Sequence, residues 1–549
     1  MSADTGHGLH GARVGWAFWI LLAAAWFATA PWRPLFDPDE GRYAEIPREM
    51  VVSGDWVTPH LNDLRYFEKP PLQYWATAAT YELFGLTPLT SRLWAFALAF
   101  ACLPMVYAWV RRLYGALPAL LAVAALAVSP YFVMVSHVNV LDQGLAFFLV
   151  GAVFCFTRAQ LSAPGAPAER RWMLAAWAAA ALAVLSKGIV VGVLAGLSLL
   201  VYSLLERDRR IWGRLHLLPG LALFLAIAAP WFVLVTLRNP SFPGFFFVHE
   251  HFARFLTTVH SRVEPWWYFL VLLAVGTLPW LMPLLRTLSS RPAADASPPG
   301  AAGAFKPLKF LLVYSLVTLG FFSASGSKLA PYILPILPTL AAVVAVRSAA
   351  DPTAFMRNAA RLSAALMTVA GIGLLLYSAR HQGFVARAAI GWTVAALGAA
   401  ALAVAVTWGR RALLPAVAVT ALAAILGWQF LMNAFAVVEP THTSLALVEA
   451  VRPQVRPGTA LYSVGQYRET ISPYLARTLQ VVAFRGELEF GLGEEPAKDM
   501  SMEQFVRRWD GATDAVAFFD PGLWDQWRRQ GLPGRVVAAD PHTVIVSRL

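Results

Sequence analysis

The chain alternates long apolar runs with short polar joints. The runs fall near residues 14–31, 91–110, 116–133, 138–157, 172–186, 188–205, 215–237, 265–285, 308–324, 330–348, 360–379, 386–408 and 411–435. A helix needs about 20 apolar residues to cross a hydrocarbon core of about 30 Å, so the pattern predicts about thirteen transmembrane helices in a polytopic α-helical protein. The first run, Ala17 to Ala30, shows no small-residue cleavage site and further spans follow at once, so it reads as a retained helix rather than a signal peptide. The pattern breaks at Glu439-Pro440. The tail beyond it is charged and punctuated, with strand-like runs at Ala460 to Val464, Asp514 to Phe519 and Thr543 to Ser547 and a helical run at Met502 to Trp509. These elements predict a transmembrane domain over 1–438 and a small α/β domain over 439–549.

Charge gives the runs a direction. With the N-terminus in the cytoplasm, Arg111-Arg112, Arg170-Arg171, Arg207 to Arg210, Lys306 with Lys309, Arg357 with Arg361, and Arg410-Arg411 all fall on the cytoplasmic side. The alternate joints carry only Lys187, Lys328, Arg380 and Arg387, the asymmetry of the positive-inside rule. An odd number of spans then puts the tail on the outer side. The Pro-, Ala- and Ser-rich segment Ser289 to Gly303 reads as a flexible cytoplasmic loop.

Composition agrees with lipid as the solvent. Of 549 residues, 58% are hydrophobic and 14% charged, against about 45–50% and about 25% in soluble domains. The net charge of +12 sits in clusters between apolar runs and forms no aromatic-interleaved groove, which excludes nucleic acid as the partner. Cys102 and Cys155 both lie inside apolar runs, so neither a disulfide framework nor a cysteine metal site is expected.

The polar residues with chemical potential collect in the outer joints. The loop from about Pro31 to Thr90 is long enough to be functional. Within it Asp39 to Val52 predicts an amphipathic interfacial helix, with Tyr43, Ile46 and Met50 on one face and Pro47 kinking or breaking it. Helix capping accounts for Asp37, whereas Asp39 and Glu40 beside Arg42 exceed what a cap needs; either a general base or an orienting carboxylate fits there. Tyr66-Phe67-Glu68-Lys69-Pro70-Pro71 reads equally as a surface ion pair before a rigid turn or as a phosphate-binding cation placed near Arg42.

Asp142 opens an apolar run, where capping and a site at the membrane edge are both open readings. Lys187 and Lys328 stand in very short outer joints, where snorkelling explains either one alone. The loop from Arg238 to Glu264 holds His249-Glu250-His251 and Arg254. This is not the two-histidine metalloprotease helix motif, because on an α-helix His249 and His251 point about 200° apart. Bland readings cover each feature singly, but topology puts them all on one side of one membrane. Two acids, several cations and aromatic-rich segments there suit a lipid-linked phosphate substrate.

These residues carry a resemblance. Asp39-Glu40-Gly41-Arg42-Tyr43-Ala44-Glu45-Ile46, Gly54-Asp55-Trp56, Arg65-Tyr66-Phe67-Glu68-Lys69-Pro70, Val140-Leu141-Asp142, Ser186-Lys187-Gly188, Glu250-His251-Phe252-Ala253-Arg254-Phe255, Leu278-Pro279-Trp280 and Lys328 to Leu334 follow in the order and spacing of bacterial aminoarabinose transferases. The chain resembles that family, within the superfamily that includes protein O-mannosyltransferases. Beyond Leu334 only the layout is shared.

The resemblance implies a GT-C glycosyltransferase of the bacterial inner membrane, acting as a monomer. It implies transfer of a sugar, 4-amino-4-deoxy-L-arabinose, from undecaprenyl phosphate to a lipid A phosphate on the periplasmic face. It also implies roles: Asp39 as the principal catalytic carboxylate, Asp142 as a second acid, and Arg42, Lys69, Arg254 and Tyr332 around the donor phosphate. Glu68 and His249 are implied as a divalent-metal pair, zinc being one candidate, with Glu40, Tyr66, Lys187, Glu250, His251 and Lys328 as further site residues. Two departures bear on sugar and acceptor: Gln143 follows Asp142 where the family often has proline, and Ser327 precedes Lys328 where a second lysine is common. A sister enzyme with another polyprenyl-phosphate sugar or a hydroxyl acceptor is one alternative. A polyprenyl-lipid transporter is another, and it predicts charges near the bilayer midplane.

Overall fold

The computed structural model describes residues 15–253, 264–289, 305–408 and 413–548. The chain divides into two compact units, Met1–Ala30 with Ala95–Val438, and Pro31–Trp94 with Glu439–Leu549.

The first unit is helical. Among the described residues seven helices are long and apolar enough to cross a bilayer, or nine if each of two bent pairs is one span. Three shorter apolar helices, Trp16–Phe27, Val190–Glu206 and Ile336–Ser348, and the helix Pro167–Lys187 occupy the remaining apolar runs. The bent pairs have a local cause. Ala116–Val128 and Pro130–Ser136 meet at 66° where Pro130 removes a backbone donor, and Tyr268–Gly276 turns by 69° into Leu278–Ser289 just before Pro279. The breaks satisfy one another, since the Ser129 hydroxyl donates to the carbonyl of Gly276 at 2.5 Å. Freed backbone groups at membrane depth need such internal partners.

The second unit joins residues 31–94 to the tail, so the long first loop groups with the C-terminal residues and not with the helices that flank it in sequence. Its first helix, α1 (Asp39–Ser53), is followed by a hairpin of β1 (His60–Leu61) and β2 (Leu64–Arg65) and by α2 (Leu72–Phe84). The tail builds a five-stranded sheet from β3 (Ala460–Val464), β4 (Gln480–Val482), β5 (Ala515–Phe519), β6 (Arg535–Ala539) and β7 (Val544–Ser547), in the order β4-β3-β5-β7-β6. The β4, β3 and β5 strands run parallel, and β7 pairs antiparallel with β5 and β6. Tyr462, Phe505, Trp509, Phe519 and Trp524 fill the core between this sheet and its helices. The helix Met502–Asp510 starts on a capping box of Ser501 and Gln504.

Three expectations for the first loop change. The helix is continuous through Pro47 from Asp39 to Ser53, and it does not lie with one face outward: Glu40 to Met50 are all buried. Burial of its charges is tolerated because they are paired. Arg48 grips Glu45 with two hydrogen bonds, of 2.7 and 2.5 Å. Glu49 accepts the amides of Asn62 at 2.5 Å and Asp63 at 2.8 Å, two hairpin residues with left-handed backbone. Asp37 is not a helix cap either. It accepts from Arg468 at 3.0 Å and from the Thr470 amide at 2.8 Å, which ties the loop to the tail.

Candidate functional site

The second unit gathers its polar residues around the first turn of α1. Asp39 and Glu40 sit in that turn, where the exposed amides and positive helix end favour carboxylates, but their surroundings send them to different work. Glu40 is fully buried and accepts from Arg92 at 2.8 and 2.7 Å, from Arg33 at 3.3 Å and from the Phe36 amide at 3.0 Å. Burial, with Arg92 beside it, pulls the Arg33 guanidinium down to about 9. Glu40 thus locks the start of α1 and is sealed from any ligand.

Asp39 keeps 38% of its side chain exposed, while Arg42 one turn on donates to it at 3.0 Å. Arg42 itself is buried, and its other terminal nitrogen pairs with Glu487 and lies 3.9 Å from Glu469, both from the tail. The arginine expected in the donor-phosphate cradle is therefore surrounded by three carboxylates. Gly41 makes this approach possible, because a Cβ there would come within 2.5 Å of the Glu469 carbonyl carbon and 2.6 Å of the Thr470 amide. Burial and the neighbouring Glu487 hold the Glu469 carboxyl well above the usual carboxylate range.

Glu68 and Lys69 pair with each other at 3.4 Å, and the Lys69 ammonium also donates to the Glu68 carbonyl at 2.9 Å. Tyr66 is 3% exposed and its hydroxyl has no hydrogen-bond partner among the described residues. Burial pushes that hydroxyl well above its ordinary value, and the charged groups acting on it are Arg42, Glu68 and Glu487. Asp39, Arg42, Tyr66 and Glu68 thus face one locality with the two tail acids.

In the first unit Asp142 begins the helix Asp142–Leu161 and Lys187 ends the helix Pro167–Lys187. Each charge suits its helix end. Lys187 donates to Asp142, with Gly144 clearing the way: a Cβ there would meet the Ser186 hydroxyl at 2.9 Å. The Lys187 ammonium also lies 4.3 Å from the Tyr332 ring centroid. Gln143 donates to the carbonyls of Val135 at 3.0 Å and Val138 at 2.7 Å, anchoring the turn before Asp142. The ammonium of Lys328 is held by the carbonyls of Ser325 at 2.6 Å and Glu264 at 3.0 Å.

His249 and Glu250 lie in the π-helical segment Gly244–Ala253. His249 Nδ1 is 3.5 Å from the buried Glu250 carboxylate, and its ring stacks on Phe245 at 5.1 Å. The His251 side chain and Arg254 lie outside the described residues. Among the described residues no three His, Cys, Asp or Glu side chains gather as a metal-binding set, so the geometry gives no support to the metal pair implied for Glu68 and His249. An apolar cavity of about 670 Å³ opens in the same unit, lined among others by Phe156, Trp177, Phe224, Phe232, Phe247 and Tyr314.

Sequence reasoning missed Arg33, Arg92, Glu469 and Glu487. Arg92 carried a usable signal, a cation at the N-terminal end of an apolar run. The two tail acids carried none.

Two family models match the chain: the aminoarabinose transferase C-terminal domain over residues 447–548, and the dolichyl-phosphate-mannose-protein mannosyltransferase family over residues 16–246. Undecaprenyl phosphate-alpha-4-amino-4-deoxy-L-arabinose arabinosyl transferase 1 of Proteus mirabilis is 30% identical over 66% of this chain and 65% of its own length. The relative of that name, numbered 2, in Sodalis glossinidius is 30% identical over 89% of this chain and 88% of its own. Matches to several of the relatives thus span less than two thirds of the relative's length, as with the 61% covered in Erwinia tasmaniensis. The crystal structure of ArnT from Cupriavidus metallidurans bound to undecaprenyl phosphate superposes with a TM-score of 0.85, at 33% identity, over 98% of this chain and 99% of that one.

Proposed function

The chain belongs to the family of bacterial aminoarabinose transferases, and on that footing we propose that it transfers 4-amino-4-deoxy-L-arabinose from undecaprenyl phosphate to a phosphate of lipid A. It is a polytopic membrane glycosyltransferase of the GT-C fold in the bacterial inner membrane. One observation carries the proposal: the whole-chain likeness to a structure that holds undecaprenyl phosphate. The basic clusters support a cytoplasmic N-terminus, with the second unit on the periplasmic side.

In the proposed reaction an acceptor oxygen forms a bond to the sugar's anomeric carbon as that carbon's bond to the donor phosphate breaks. The electron pair leaves with the polyprenyl phosphate. The resemblance assigns Lys69, Arg254 and Tyr332 to the donor phosphate, and fixed cations there stabilise such a leaving group without moving a proton. The apolar cavity suits the prenyl chain. Asp39, half open, acts at the sugar: a phosphate acceptor needs no base, so the carboxylate orients the sugar, whereas a hydroxyl acceptor would surrender its proton to it. Arg42 belongs with Asp39 rather than with the phosphate, since three carboxylates already surround it. Asp142 serves as the second acid, held by Lys187. A divalent metal on Glu68 and His249 rests on the resemblance alone, and no step runs through it; the metal content of purified protein tests it.

The test is turnover by purified protein in lipid, given undecaprenyl-phosphate aminoarabinose and lipid A. Asp39→Asn is expected to lower turnover by about 100-fold or more. Undiminished turnover by that variant would remove Asp39 from the mechanism, and lipid movement across vesicles without sugar transfer would replace the enzyme with a transporter.

A further inference from the structure

Proline falls inside three of the apolar runs, at Pro130, Pro279 and Pro331. Each marks an interruption. The helix Ala116–Val128 stops before Pro130–Ser136, Tyr268–Gly276 stops before Pro279, and a single 3₁₀ turn, Ala330–Ile333, precedes the helix Ile336–Ser348. Proline removes a backbone donor and crowds the preceding turn, so each interruption frees polar groups that lipid cannot satisfy. The three interruptions meet. Ser129 donates to the Gly276 carbonyl, and a Cβ on Gly276 would overlap that of Tyr131, so Pro130–Ser136 rests on the second interruption. From there the Tyr131 hydroxyl reaches the third and donates to the Ala330 carbonyl.

A buried tyrosine hydroxyl finds a partner in any core, and Tyr131 is 7% exposed. What sets this one apart is where its partner leads. The Ala330 carbonyl opens the turn that carries Tyr332, the Ile333 amide at the far end of that turn faces the same hydroxyl, and Asp142 lies within its electrostatic reach. Tyr332 is partly open to its surroundings. Its ring lies 5.1 Å from that of Phe322, 6.5 Å from that of Phe269, and 4.3 Å from the Lys187 ammonium that holds Asp142. Apolar ring contacts are non-directional, whereas a hydrogen bond prefers a narrow geometry. The Tyr131 bond therefore fixes the backbone from which the Tyr332 side chain projects.

We infer that Tyr131 is a positioning residue for sugar transfer: by pinning the turn Ala330–Ile333 it aims Tyr332 at the donor phosphate and keeps it in register with the Asp142–Lys187 pair. The inference rests on the glycosyl-transfer reading and on the place that the resemblance gives Tyr332. Tyr131 itself touches no substrate. A hydroxyl aimed at charge that develops on a leaving phosphate loses most of its effect when displaced by about 1 Å. Loss of the Tyr131 hydroxyl thus reaches turnover through Tyr332.

The experiment is a double-mutant cycle in the purified protein, with undecaprenyl-phosphate aminoarabinose and lipid A as substrates. Tyr131→Phe keeps the ring against Gly276 and removes one oxygen. It is expected to lower kcat by about tenfold or more, with the KM for lipid A unchanged. In a Tyr332→Phe background the same substitution should change kcat by less than about twofold, because the hydroxyl it positions is already gone. Ser129→Ala removes the neighbouring tie at Gly276 and leaves the Ala330 carbonyl its partner, so it should lower the melting temperature and spare turnover per folded molecule. Losses that multiply in the double variant overturn the positioning role, as does undiminished kcat in Tyr131→Phe or an equal loss of kcat in Ser129→Ala. Each of those results leaves the transferase reading standing, because the parent protein still transfers sugar. A parent protein that transfers none overturns both.

Discussion

Lys187 closes on Asp142 from the far end of the neighbouring helix, and the Tyr332 ring lies 4.3 Å from the same ammonium. The acid is 8% exposed and the lysine 12%, so neither charge has enough water to stand alone. Lys187→Gln should therefore cost about 3–5 kcal/mol, the usual result of stranding one buried charge. Asp142→Asn combined with Lys187→Gln should recover much of that loss. Thermal melting of the solubilised protein reads both, and single losses that simply add in the double variant would show that the two groups do not interact.

Gly41 is the position where α1 touches the chain at Glu469 and Thr470, leaving no room for a methyl group. Gly41→Ala should destabilise the second unit by about 1–3 kcal/mol, the cost of overpacking a tight contact. It should also lower turnover, since Asp39 and Arg42 flank that contact. Limited proteolysis is the check: cleavage of the variant at the rate of the parent protein would mean the backbone yields freely.

Much of this architecture was legible in sequence, and what escaped has physical reasons. The apolar runs mark helices because lipid demands length and hydrophobicity of each segment independently. In the tail, β3, β5 and β7 were readable as apolar runs because they are mostly buried, whereas β4 has three residues and β6 is an exposed edge strand. Asp39 and Arg42 stand out locally because they share one helical turn. Their partners do not: Glu469 and Glu487 lie more than 400 residues further on, in polar sequence without a motif. The buried state of α1 was invisible for the same reason, since its charges look solvent-bound until Arg33 and Arg92 reach Glu40 and Glu487 reaches Arg42 from elsewhere.

Glu40 shows how strongly that pairing matters. Two arginines converge on its carboxylate, and all three side chains are at least 95% buried. Glu40→Gln leaves two guanidinium groups without their shared counter-charge, so a loss of about 3–5 kcal/mol is expected. Glu40→Gln should fall below Asp39→Asn in melting temperature, while Asp39→Asn falls below Glu40→Gln in turnover per folded molecule. The reverse ranking would exchange the structural and chemical roles assigned to the two acids.

Glu469 links stability to pH in a direction opposite to that of most surface carboxylates. Its ordinary value is 4.5, and burial with Glu487 alongside raises it well above that in the folded chain. Between those two values the folded protein holds a proton that the unfolded chain has released, so stability falls as pH rises. Each such proton contributes a slope of up to about 1.4 kcal/mol per pH unit. Glutamine mimics the protonated acid without titrating. Glu469→Gln should thus leave stability unchanged at pH values below about 4.5, raise it above that point, and flatten the decline with pH. Denaturation midpoints of the two proteins across that range decide the matter: parallel curves would mean that Glu469 ionises in the folded chain as readily as in water.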